Sequence, residues 1–247
     1  MSYSVRVTVP NKSEISGVFS RWEQEDKYYN GMPSSDAGVL NMKARRYPYL
    51  ETSESQPVSM LVKSDVPVQG PVTLVYLDGQ ADAGLPHTRG PSGIALPVFL
   101  LWSPNEQTMR HELVHLSQKQ IPERWWAWYK IWFQFRRATA EEIRTIPAKH
   151  RERRRINPDT LAAPYAVWRD RYIPLSVFLS DLNPDLRNCK RGFWDLEAKQ
   201  WTWESPPGWD QTFGRGFNDE HPHEIAAHWI DGSLGEAKRQ YFHLHPI

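Results

Sequence analysis

Cysteine is almost absent from this chain: Cys189 is the only one in 247 residues. That excludes an internal disulfide and leaves too little thiolate for a cysteine-based zinc site. Long apolar runs are missing too. The most apolar stretch, Ile94 to Trp102, is broken by Pro97 and falls short of a membrane span. Behind Met1, polar residues alternate with Val5, Val7 and Val9, which is not the unbroken apolar core of a signal peptide. Excess charge of one sign is lacking as well. Lys and Arg number 30 against 29 Asp and Glu, so the net charge is +1 and calls for no nucleic acid, anionic membrane or acidic partner. The chain also shows no internal repeat and no low-complexity tract. These absences lead to the expectation of a cytoplasmic protein without membrane association, its oligomeric state left open.

What is present is an ordinary globular composition, 40% hydrophobic and 24% charged. It suits a single domain over residues 1–247. Twelve tryptophans are the oddity, most of them between Trp125 and Trp229, and they predict a wide aromatic core. Residues 1 to about 60, punctuated by Gly, Pro and Ser, read as strands and loops. Val72–Leu77 reads as a strand ending at the Asp78-Gly79 turn, and Gly93 to Trp102 as another. His87 to Gly90 between them reads as a polar loop. Ser103-Pro104-Asn105-Glu106 has capping-box spacing and predicts a helix from Pro104 to about Gln120. Further helices are expected from Pro122 to Phe135, after the Thr139–Glu142 capping box, from Pro222 to Asp231, and after Ser233–Glu236. Lys149 to Arg155 reads as a solvated charge run. Tyr172–Leu179, Phe193–Leu196 and Gln200–Trp203 read as hairpin strands. The expected fold class is α+β: a small sheet, an active-site helix, then a helical body with a β-rich, Trp-containing insertion at about 156–217.

His111-Glu112-Leu113-Val114-His115 lies inside the best-capped helix. Residues four apart differ by about 40° in direction and by one pitch, so both imidazoles leave one face. They can share a tetrahedral zinc ion (Zn2+). Glu112 leaves the helix about 100° from His111, close enough to reach a water held by the metal. Zinc lowers the pKa of such a water; Glu112 then accepts its proton as it attacks a carbonyl and passes it to the leaving amine. The expected cofactor is zinc, and the expected substrate is a peptide or protein.

A catalytic zinc takes a third protein ligand and keeps a fourth position open. A metzincin would place glycine at 118 and histidine at 121, where this chain has Gln118 and Ile121. A SprT-like protease would place histidine where Lys119 stands. The later segment Glu220-His221-Pro222-His223-Glu224-Ile225-Ala226-Ala227-His228 offers Glu220, His223, Glu224 and His228. With the HExxH, its Pro222-His223-Glu224-Ile225-Ala226-Ala227 stretch resembles the Pro-x-Glu-x-x-Ala type segment of the minigluzincins, small gluzincin-like zinc metallopeptidases. The resemblance spans about Pro86 to Trp229. It implies a zincin-like fold, His111, His115 and Glu224 as metal ligands, and Ile94–Leu96 as a strand edge that aligns substrate. The separation of His115 from Glu224 is long for a minimal gluzincin, which makes 156–217 an insertion. An oxyanion donor is also needed. Tyr165, Tyr172, His87 and His228 are available, with Tyr165 taken as the catalytic candidate. Asp231 is placed to orient a ligand histidine. Two other readings stand beside this one: a non-catalytic module with a structural zinc and a tryptophan surface around 194–209, and a zinc hydrolase of a non-peptide amide.

Overall fold

The computed structural model describes residues 3–45, 58–100, 106–214, 219–245 and 247. The architecture is α+β, with two five-stranded sheets. The strands in chain order are β1 (Tyr3–Val9), β2 (Val58–Ser64), β3 (Val72–Leu77), β4 (His87–Arg89), β5 (Gly93–Pro97), β6 (Phe135–Arg137), β7 (Ala166–Trp168), β8 (Tyr172–Phe178), β9 (Cys189–Asp195) and β10 (Gln200–Thr202). The helices are α1 (Lys12–Asp26), α2 (Tyr28–Gly31), α3 (Gly38–Ala44), α4 (Glu106–Gln120), α5 (Pro122–Trp132), α6 (Ala140–Thr145), α7 (Ala148–Glu152), α8 (Trp209–Phe213), α9 (Pro222–Asp231) and α10 (Glu236–Leu244). The chain divides into two compact units. One comprises Met1–Gly31, Arg45–Pro122 and Ala226–Ile247; the other comprises Met32–Ala44 and Glu123–Ile225.

The first unit is built on a mixed sheet in the order β2-β1-β3-β5-β4, with β1, β3 and β5 parallel and the two outer strands antiparallel. Side chains alternate across a strand, and here each face has its own helix. Val5, Val7, Val9, Leu74, Tyr76, Ile94 and Leu96 pack with Met109, Leu113 and Leu116 of α4. Val75, Leu77 and Ala95 pack with Ile15, Val18, Phe19 and Trp22 of α1. Covered on both faces, β3 is apolar apart from the partly buried Thr73, and its bounds match the expected strand.

Four expectations in this unit are corrected. The N-terminal segment holds a 15-residue helix, α1, opened by an Asn11–Glu14 capping box. Its serines and Gly17 mimic a loop, yet the 15/18/19/22 stripe buries it against the sheet. His87–Arg89 is a strand rather than a loop, buried because the Arg89 guanidinium is paired with Asp26 at 2.8 Å and with Glu23. Since β4 pairs along β5, Ile94–Leu96 is an inner strand, and the sheet edge is β4. Gly235, at φ 96°, caps α10. Ser233 does not, because it is drawn back to Asp231 and His228. The expected capping box at 103–105, and the end of the Gly93–Trp102 strand beyond Leu100, lie outside the described residues.

The second unit carries an antiparallel meander, β10-β9-β8-β7-β6. Its tryptophans are mostly core, as their density predicted. Trp168 and Trp209 meet edge to face at 5.1 Å, with Phe135, Phe193 and Phe213 around them. On the opposite face Ile173, Leu175 and Val177 pack with Ile146, Val167 and Trp194. Among the tryptophans of the supposed surface, Trp194 and Trp209 are buried. Trp203 is exposed, and Trp201 stacks on His150 at 4.0 Å. The unit starts well before residue 156. α5 stops at Trp132, three residues short of the expected Phe135, because Gln134 turns left-handed (φ 59°) and sends Phe135 into β6. α6 begins at the predicted Thr139–Glu142 box, with both reciprocal bonds present.

Candidate metal centre

Met109, Leu113 and Leu116 fix the rotation of α4 by facing the sheet, so residues two positions away leave on the other side. His111 and His115 stand there one turn apart. Their Nε2 atoms are 3.0 Å from each other. His115 is fully buried, His111 is partly open, and Glu112 between them is buried.

The tautomers explain what that approach means. The His111 Nδ1 lies 2.8 Å from the Asp231 carboxylate, which only accepts. Burial raises the Asp231 pKa, but hydrogen bonds from His111, His228 and Ser233 outweigh it and hold the group well below the usual carboxylate range. Asp231 is therefore ionised and His111 carries its proton on Nδ1. The His115 Nδ1 lies 2.7 Å from the side-chain oxygen of Gln118, which again only accepts. Both Nε2 atoms then present lone pairs to each other. At 3.0 Å two lone pairs repel unless a proton or a metal cation lies between them. Two zinc–nitrogen bonds at a tetrahedral angle call for ring nitrogens about 3.3 Å apart, so the pair fits a zinc ion. An N–H donated outward to a carboxylate or carbonyl is the usual support of a metal-bound imidazole.

α9 brings a third imidazole. His228 lies 4.6 Å from His111, ring centroid to centroid, edge to face. Its Nδ1 meets the Ser233 hydroxyl at 2.8 Å, while that hydroxyl donates to the His228 carbonyl. The same logic gives His228 a lone pair on Nε2. Glu224 is in the first turn of α9, four residues ahead of His228 and so on the same face of the helix.

In the second unit, Asn157 donates its amide to the Glu224 Oε1 at 2.6 Å. A further carboxylate, Asp159, is buried with an oxygen within 4.8 Å of one on Glu224. Glu220 is buried too, with Oε2 unpartnered among the described residues. Desolvation pushes its pKa up to about 7, aided by Asp219 and Glu224 and opposed by Arg155. Two carboxylate oxygens within 4.8 Å of each other repel by at least about 3.5 kcal/mol at an effective dielectric of about 20 when both groups are ionised, so this corner favours a cation. Of the other candidate ligands, His223 is held by contacts within the second unit. Its Nδ1 meets the Asp159 carbonyl at 3.1 Å and its ring lies against Trp126 and Tyr129. Tyr165 lies under the Arg154 guanidinium and against the core of the second sheet. Tyr172 also carries an arginine, Arg171, over its ring, and His87 is buried beside Asp82.

Sequence reasoning missed Asn157, Asp159 and Gln118. Gln118 was visible only as a departure from another family's glycine. An Asn-Pro-Asp turn looks like any other turn until its partner is seen. Compared with family models, curated proteins and solved structures, the chain gives no match in any of the three.

Proposed function

We propose that the protein is a zinc-dependent metallopeptidase of minigluzincin-like, zincin-like construction, in which His111, His115 and Glu224 hold one zinc ion. The observation that carries this reading is the pair of imidazoles whose Nδ1 protons are both committed outward and whose Nε2 atoms meet at 3.0 Å. When bound, zinc supplies Lewis acidity that brings a water's pKa towards neutrality and polarises a carbonyl. Asp231 and Gln118 fix the tautomers that turn the imidazole lone pairs inward. Glu112, next to His111 and shielded from bulk water, takes the proton of the attacking water and returns it to the departing amine. The substrate class is a peptide or protein.

The test is a metal titration with paired variants. Parent protein should bind one zinc per chain and cleave a mixed peptide library. Glu112→Gln should keep the zinc and lose turnover; His115→Ala should lose both. Zinc-loaded Glu112→Gln cleaving at the parental rate refutes the role of Glu112, and a parent that binds no zinc refutes the whole reading.

A further inference from the structure

We infer that Asn157 is a positioning residue for Glu224, an inference that rests on the zinc reading above. The geometry of its amide is decided by chemistry. A backbone N–H can only donate, so the Asp159 N–H, 2.9 Å away, must face the Asn157 Oδ1. That leaves Nδ2 directed at the Glu224 Oε1, at 2.6 Å. A neutral donor on an ionised acceptor is a charge-assisted bond, short and strong for its kind.

The segment that carries Asn157 is anchored on each side. The Arg155 N–H donates to the Ser176 carbonyl at 2.8 Å, and the Ile156 N–H donates to the Asn41 side chain at 2.8 Å. Two residues further on, the Asp159 carbonyl meets the His223 Nδ1 at 3.1 Å. The turn thus grips two consecutive residues of α9, one through each end. Holding Oε1 fixes the plane of the Glu224 carboxylate and counters the Asp159 carboxylate within 4.8 Å of it. A ligand carboxylate oriented in advance loses less freedom when it takes a cation, and such outer partners typically govern about 10- to 100-fold of metal affinity.

The two hydrogen bonds of Asn157 can be separated. Asn157→Ser keeps a short acceptor that caps the Asp159 N–H, but it lacks an amide long enough to reach Glu224. The experiment measures zinc affinity by competition with a chromophoric chelator, alongside thermal unfolding of the metal-free protein. For Asn157→Ser the expected result is a 10- to 100-fold weaker zinc affinity with the metal-free melting temperature unchanged. In a Glu224→Ala background the same substitution should change zinc affinity less than twofold, because the group it acts through is gone. Asn157→Ser binding zinc as tightly as a zinc-binding parent overturns the inference and leaves the peptidase reading standing. An equal loss in both backgrounds also overturns it, by showing a merely structural role. A parent without zinc affinity removes both.

Discussion

Replacing Asp231 by asparagine reverses a single hydrogen-bond polarity at the candidate metal centre. Ser233 donates its backbone N–H to the Asp231 Oδ1 at 2.6 Å, so an asparagine there keeps its oxygen on Ser233. Its amide N–H then meets the His111 Nδ1, which must become the acceptor. The His111 proton moves to Nε2 and occupies the position that faces the His115 Nε2 at 3.0 Å. Zinc can bind only after that tautomer is undone and the amide is left facing an N–H. The lost bond is charge-assisted and part-buried, worth about 1.5–3 kcal/mol, which corresponds to roughly 10- to 150-fold in affinity. The assay is chelator competition at neutral pH, with melting of the metal-free variant as a control for folding. Asp231→Asn that binds zinc within twofold of the parent would show that the carboxylate does not set the His111 tautomer. The central argument for a metal site would then fail.

Saturating zinc, at about 100 times its Kd, should stabilise the parent by roughly 2.7 kcal/mol. For a chain of this length that is a rise in Tm of about 5–10 °C by calorimetry, absent in His115→Ala. Glu142 is drawn down to about 2 by its bond to Arg136, against desolvation and with help from the Thr139 cap. Its stabilising contribution is complete above the unfolded value of 4.5 and fades as pH falls towards 2. With Arg136 partly in solvent the amount is nearer 1 kcal/mol than the full shift implies, so Glu142→Gln should remove that much of the acid dependence in urea melts. An added Cβ at Gly93 would sit 2.3 Å from the Trp22 ring and 2.6 Å from the Arg89 carbonyl. Gly93→Ala should therefore lower the unfolding free energy from urea melts by about 3 kcal/mol; an unchanged midpoint refutes the packing described for α1. Thr139→Ala should cost about 1 kcal/mol through its lost cap, read in the same titration.

The elements most legible in the sequence were those whose local signals and burial agree. β3 is apolar because both of its faces are covered, and its ends fell where the run of Val, Leu and Tyr ended. α9 began at Pro222 and stopped before Gly232, which takes φ 88°. α1 was hidden because its helical stripe is diluted by serine and glycine, residues that speak for loops until a sheet covers the apolar face. β4 was hidden for the opposite reason: charged residues normally mark a surface, but Arg89 is neutralised by two acids from α1. At the site, spacing alone identified the two imidazoles on α4. Asp231 was also named there as an orienting acid, and it meets the His111 Nδ1 at 2.8 Å; Gln118 was missed, since it matters only through the direction of one hydrogen bond. Asn157 depends on a partner brought near only by folding.

The carboxylate that sets the His111 proton lies 120 residues further along the chain than the imidazole it governs. On the ribosome, His111 leaves the tunnel long before α9 exists, when its ring proton is still free to choose either nitrogen, whereas the His115 partner, Gln118, lies on the same helix. On the proposed zinc reading, the His111 lone pair is turned towards the ion only once the C-terminal stretch of the first unit has packed against α4.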